Sequence, residues 1–144
     1  MISMSGNKTF LDTNIIVYAF DSSAKEKRDI ARQILIDLWD SGEGLLSTQV
    51  LQEFYVTVTQ KIPKPLDRKL AAQTIQDLLQ WDVVINDGAA ILEAIIIQEK
   101  HKFSFWDAMI IQAAAKGGAE LILTEDMAFG RKIRGITLKN PFVS

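Results

Sequence analysis

Cysteine is absent from the 144-residue chain, and histidine occurs once, as His101. Without cysteine there is no disulfide framework and no thiolate metal site. A single histidine excludes the two-histidine zinc helix, paired-histidine proton shuttles and most three-histidine catalytic zinc sites. Long apolar runs are missing too. Uninterrupted ones are short, such as Ala94-Ile95-Ile96-Ile97, far below the roughly 20 residues that a membrane span needs. The first residues, Met1 to Lys8, lack the charged start and apolar stretch of a signal peptide. Cytoplasmic residence, with no membrane partner, is the expectation. Excess positive charge is also lacking: the formal net charge is -2. A protein that grips nucleic acid by charge alone is usually basic. A bound divalent cation would reverse the local sign, so a phosphate substrate stays open.

What is present is an ordinary globular composition, 48% apolar and 24% charged. The length fits a single domain over 1–144, with no repeat or linker. Short β-rich runs are expected at Lys8–Leu11, Gly44–Leu46, Val83–Ile85, Glu120–Leu123 and Ile136–Leu138. Helical periodicity falls between them, over 14–19, 25–40, 48–61, 66–80, 88–100 and 104–116. Pro65 is placed to open the fourth of these. A further short helix is expected after Asp126, stopped by Gly130. Strands alternating with helices predict an α/β fold: a three-layer α/β/α sandwich around a central, mainly parallel five-stranded sheet. In such sheets ligands bind beyond the carboxyl ends of the strands, where the strand order reverses.

Four acids sit in apolar company. Asp12 ends the first strand. Glu53 borders the apolar arc of Val50, Phe54 and Val58. Asp107 follows three aromatics in Phe103-Ser104-Phe105-Trp106, and Asp126 lies just past the fourth strand. Each has a local alternative. Asp12 could cap the helix after it, Glu53 could be a solvated edge, and Ser104 with Asp107 fits a capping box. Asp126 could complement a helix dipole. Jointly they make a stronger pattern, because two follow strand ends and two open helices on the same side of the sheet. Converging carboxylates would repel one another strongly in a dry pocket. A hard divalent cation such as Mg²⁺ removes that repulsion and commonly shares substrate phosphates. The implied chemistry is metal-assisted phosphodiester hydrolysis. Thr13, Asn14 and Thr124 are candidates to orient the carboxylates. His101, at a basic helix end, is expected to be exposed. Lys25, Lys27, Arg28, Arg32, Lys61, Lys64, Arg68, Arg131, Lys132 and Arg134 could meet a phosphate backbone; most are expected on solvated faces, and Arg131 to Arg134, close after Asp126, stand out.

Leu11-Asp12-Thr13-Asn14 with Tyr18 and Asp21, Gln52-Glu53-Phe54, Phe105-Trp106-Asp107-Ala108 and Thr124-Glu125-Asp126-Met127 occur in that order. The chain resembles a PIN domain of the VapC kind, the ribonuclease toxin of toxin–antitoxin pairs, over nearly its whole length. The resemblance implies Mg²⁺ or Mn²⁺ as cofactor, cleavage of single-stranded or structured RNA, a homodimer and a small cognate antitoxin. It implies Asp12, Glu53, Asp107 and Asp126 as the acidic metal site, with Thr124 as hydroxyl companion.

Two other classes fit part of the pattern. A receiver-type signalling domain also has a parallel sheet and an acidic Mg²⁺ pocket; it would use Asp87, after the third strand, as phosphoacceptor. A catalytically silent PIN fold would keep the architecture and bind protein.

Overall fold

The computed structural model describes residues 7–127 and 130–143. The first strand, β1 (Lys8–Leu11), leads straight into α1 (Thr13–Phe20). A 3-10 turn at Ser22–Ala24 follows, then α2 (Glu26–Ser41), β2 (Gly44–Ser47), α3 (Thr48–Gln60), α4 (Arg68–Leu78), β3 (Asp82–Val84), α5 (Gly88–His101) and α6 (Phe105–Lys116). The chain closes with β4 (Ala119–Leu123), β5 (Lys132–Ile133) and β6 (Ile136–Lys139). The sheet order is β3-β2-β1-β4-β6-β5. All pairings are parallel except the β5–β6 hairpin. Helices α1 to α4 pack among themselves, with α2 and α3 resting on β2; α5 and α6 pair with each other, and α6 covers β2, β3 and β4. Every residue of α6 from Ala108 to Ala114 is buried, as befits a helix apolar all round. None of the described helices is long and apolar enough to cross a membrane.

Six strands replace the expected five. The extra one, β5, has two residues inside the basic run Arg131-Lys132-Ile133-Arg134. Arg134 (φ 52°) and Gly135 (φ 80°) turn it back onto β6, and two successive positive φ values suit the right-handed twist of a tight hairpin. The fourth helix begins at Arg68 rather than 66. Leu66 stays outside because its N–H donates to the Val58 carbonyl at 2.8 Å, tying the loop to α3. The short helix expected after Asp126 is not formed over Glu125–Met127, which are bends; 128 and 129 lie outside the described residues, as does most of the segment read for a signal peptide. His101 is half-buried, not exposed.

The core holds this order in place. Phe10 and Leu11 of β1, Leu45 and Leu46 of β2, Ile122 of β4 and Leu138 of β6 are buried from both sides. On α3, Val50, Phe54 and Val58 recur every four residues and are fully buried, so the opposite edge of that helix is fixed toward solvent.

Candidate active-site cleft

The sheet register decides where the acids go. Leu11 of β1 pairs with Leu123 of β4, and both strands end there. Their successors, Asp12 and Thr124, are therefore neighbours. Asp12 N–H donates to the Leu123 carbonyl at 3.0 Å, and the Thr124 hydroxyl donates to Asp12 Oδ2 at 2.7 Å. From β1 the order runs one way to β2 and β3 and the other way to β4 and β6. The gap between β1 and β4 is thus the reversal point where α/β sheets take ligands.

Asp12, Glu53, Asp107 and Asp126 all line one cleft of about 620 Å³ at this point. Asp12 caps α1, its Oδ1 accepting from Thr13 N–H at 2.8 Å. The cap and the site are the same side chain, so the local alternative for Asp12 does not compete with a role in the cleft. The Thr13 hydroxyl donates to Glu53 Oε1 at 2.6 Å. The Asn14 amide donates to Asp126 Oδ2 at 2.9 Å. Asp107 stands in the first turn of α6, its N–H held by the Ser104 hydroxyl oxygen at 3.1 Å. Thr124 is fully buried; its oxygen also accepts from the Asp126 and Met127 N–H groups at 3.3 and 3.4 Å. One hydroxyl therefore links the end of β1 to the loop that carries Asp126.

Glu125, between them, points away. Tyr18 and Lys27 both donate to its carboxylate. The Lys27 ammonium lies 5.0 Å from the Tyr18 ring centre and 5.6 Å from that of Phe142. This cluster ties the loop to α1, α2 and the end of the chain.

Electrostatics mark Asp12 most clearly. Burial pushes its carboxyl up from 3.8 to about 6; hydrogen bonds from Thr124 and Thr13 oppose the rise, and the charges of Asp107 and Glu53 add to it. Burial also raises Asp107; Ser104 works against that, and Asp126 and Glu53 add to the rise. A raised carboxyl keeps its proton in the folded protein over a range where the unfolded chain has already lost it. Stability of the metal-free protein therefore falls as pH rises from about 4 through about 6. At about 1.4 kcal/mol per unit, the effect is ~3 kcal/mol. Denaturant melts in a chelator should show wild type and Asp12→Asn nearly equal at pH 4, with the Asn variant ahead by an amount of this order at pH 7.5. A gap independent of pH would contradict the placement of Asp12.

Some expected residues are elsewhere. Arg131 lies over the Phe103 ring, 4.8 Å from its centre, and Arg134 pairs with Glu93. Neither they nor Lys132 line the cleft; the hairpin carries them to the sheet edge. Lys61, at the end of α3, is the one cation among the described lining residues. Asp87 caps α5, accepting from Ala90 N–H at 2.9 Å, and does not line the acidic cleft. The receiver arrangement, which needs that acid in the pocket, is not formed. Gln49 joins the site unannounced. Its amide donates to Glu53 Oε2 at 3.3 Å; its position four residues before Glu53 on α3 is the signal that could have found it.

The donor set suits a hard cation: four carboxylates and two buried amide oxygens, Asn14 Oδ1 and Gln49 Oε1, that have no hydrogen-bond partner. Among the described residues no three acidic or histidine side chains are near enough to cage one ion by themselves. Mg²⁺ does not require a protein cage, since it keeps several waters and is held through one or two carboxylates.

The PIN domain family model matches residues 9–134. The chain belongs to the PIN domain family. Its match runs from within β1 through β5 and includes all four acids. Solved structures similar to this PIN domain include a toxin–antitoxin complex from Klebsiella pneumoniae, at a TM-score of 0.68 and 18% identity, covering 94% of this chain and 98% of that one. A DNA-bound VapBC from Salmonella typhimurium is similar at 0.65 and 18%, with the same coverage. So is VapC20 of Mycobacterium tuberculosis, a sarcin–ricin loop cleaving toxin, at 0.64 and 18%, covering 83% of this chain and 90% of that one. No curated protein matches in sequence. At these identities the neighbours share the PIN fold, a mostly parallel sheet flanked by helices.

Proposed function

We propose that the protein is a Mg²⁺- or Mn²⁺-dependent endoribonuclease, the toxin of a toxin–antitoxin pair. The observation that carries this reading is the convergence of four carboxylates, drawn from four separate segments, on one cleft at the strand-order reversal. The names of the structural neighbours support it: one is a toxin–antitoxin complex, one a DNA-bound VapBC and one a toxin that cleaves the sarcin–ricin loop. On this reading Asp12, Asp107 and Asp126 hold the cation, directly or through water, with Glu53 beside them. A bound divalent cation would activate a water and offset charge on the phosphate. The remaining work falls to the chain itself. Thr124 and Thr13 orient Asp12, Thr13 and Gln49 orient Glu53, and Asn14 orients Asp126. Exposed apolar side chains on α5, among them Leu92 and Ile96, support burial against an antitoxin or a second copy, in line with the family expectation of a homodimer.

The decisive experiment has two readouts. Mn²⁺ should give cleavage of single-stranded RNA that a chelator abolishes, and it should raise the melting temperature. Because the cation must displace protons from Asp12, the rise should be larger at pH 7.5 than at pH 5. A catalytically silent PIN fold that binds protein is the second reading. The exposed apolar side chains of α5, which suit a protein partner whether or not the cleft is active, are the observation in its favour. No metal-induced rise at either pH, together with no cleavage, would select it.

A further inference from the structure

The cleft continues past the acids. Its floor on α3 is Gln49, Gln52, Glu53, Val56 and Thr57, reaching Lys61 just beyond the helix, a stripe at three- and four-residue spacing on one face. At about 1.5 Å of rise per residue this stripe runs ~18 Å. Lys61 marks one end. At the other, the Gln49 amide donates to the Trp106 carbonyl at 3.4 Å.

Trp106 precedes Asp107 and is 62% exposed, although the helix from Ala108 to Ala114 is buried. Its ring is braced by Phe105, edge to face, with centroids 5.1 Å apart at 75°. Phe105 in turn packs on the core. Beyond the indole opens a second recess of about 460 Å³, which shares Gln49, Gln52 and Trp106 with the acidic cleft and adds Thr48 and Asn86. This recess contains Asp87 and no lysine or arginine among its described lining residues.

Neither the core nor a metal needs a rigid, exposed indole at this point. The charge distribution says what does. A phosphate entering the second recess would meet Asp87, whose one cationic neighbour, Lys116 at 3.9 Å, is already paired with it and does not line the recess. The uncharged part of a nucleotide would meet an aromatic face and hydroxyl and amide groups. We propose that Trp106 is the stacking platform for one unpaired nucleobase adjoining the scissile phosphate, with the base edge held by Thr48 and Gln52. The strand then runs along α3 past the acids, and a phosphate further along meets Lys61. Stacking of this kind needs a splayed base, so it selects single strands and loops over duplex. The inference rests on the ribonuclease reading and adds to it the subsite that orients the strand.

The test uses short single-stranded RNA with the non-cleaving Asp12→Asn protein for binding and the otherwise wild-type protein for cleavage. Trp106→Ala and Trp106→Leu should each weaken binding about 10-fold, while Trp106→Phe stays close to the parent. In cleavage the loss should fall on KM more than on kcat. Removing the base from the one nucleotide that stacks should erase the difference between the parent protein and its Trp106→Ala variant. If the wild-type protein neither binds nor cleaves RNA with Mg²⁺ or Mn²⁺, the ribonuclease reading and this inference fall together. If it cleaves normally and Trp106→Ala matches it, the platform alone is overturned and the ring is a protein contact. An equal loss on base-bearing and abasic strands also overturns it.

Discussion

Replacing Asp12 with Asn should abolish RNA cleavage while making the metal-free protein more stable at pH 7.5. Asp12 is the most buried of the four acids, is joined to Thr124 and is raised to about 6 by burial. On the proposed function its negative charge is unfavourable in the empty cleft and useful only once a cation is bound. Asn has the same shape and can still accept from Thr13 N–H, so the cap of α1 survives. Activity should fall about 1000-fold or more, equivalent to ~4 kcal/mol of transition-state stabilisation. The metal-free melting temperature should rise by several degrees, since each kcal/mol moves a domain of this size by roughly 2–4 °C. Mn²⁺ should then add little further stability. Cleavage assays and melts with and without chelator measure all three. A variant that cleaves normally would remove Asp12 from the mechanism.

Phe54→Ala should be the most damaging single change to the fold. Phe54 is fully buried on α3, and its ring meets Phe20 of α1 edge-on with centroids 5.5 Å apart. Truncating a buried Phe costs about 3–5 kcal/mol, from lost burial and the cavity left behind. Against a total of roughly 5–15 kcal/mol, that is a large share, and the melting temperature should fall by about 10 °C. Phe54→Leu should lose less than half as much. Because Phe54 points into the core and does not line the cleft that its neighbour Glu53 borders, molecules that remain folded at low temperature should keep most of their activity. An Ala variant melting within a degree or two of wild type would show that α3 is not anchored there.

Much of this was legible in the chain because the informative residues obey periodic rules. The six helices show apolar spacing, and β1, β2, β3 and β4 are short β-branched or leucine runs between them. The four acids could be singled out because each interrupts an apolar context. β5 escaped because two residues, Lys132 and Ile133, make no period, and Arg-Gly is a weaker hairpin signal than Asn-Gly. The role expected of Arg131 to Arg134 misjudged proximity: these residues follow Asp126 closely in sequence, but the hairpin takes them to the far edge of the sheet. The pairings of Thr13 with Glu53 and of Asn14 with Asp126 span 40 and 112 positions. Only the strand order brings those segments together, and no local pattern encodes it.

That strand order also has a consequence for the life of the chain on the ribosome. β1 is made before the other described strands yet lies inside the sheet, and one of its two neighbours, β4, is made more than a hundred residues later. Contacts this distant in sequence form slowly. Until β4 emerges, Asp12 has no Thr124 to meet and Asp126 does not exist. A nascent chain, or one cut short before Ala119, therefore holds two or three of the acids but never the assembled cleft. On the proposed reading, the ribosome making this protein is working beside an unarmed enzyme until β4 and the loop carrying Asp126 have emerged.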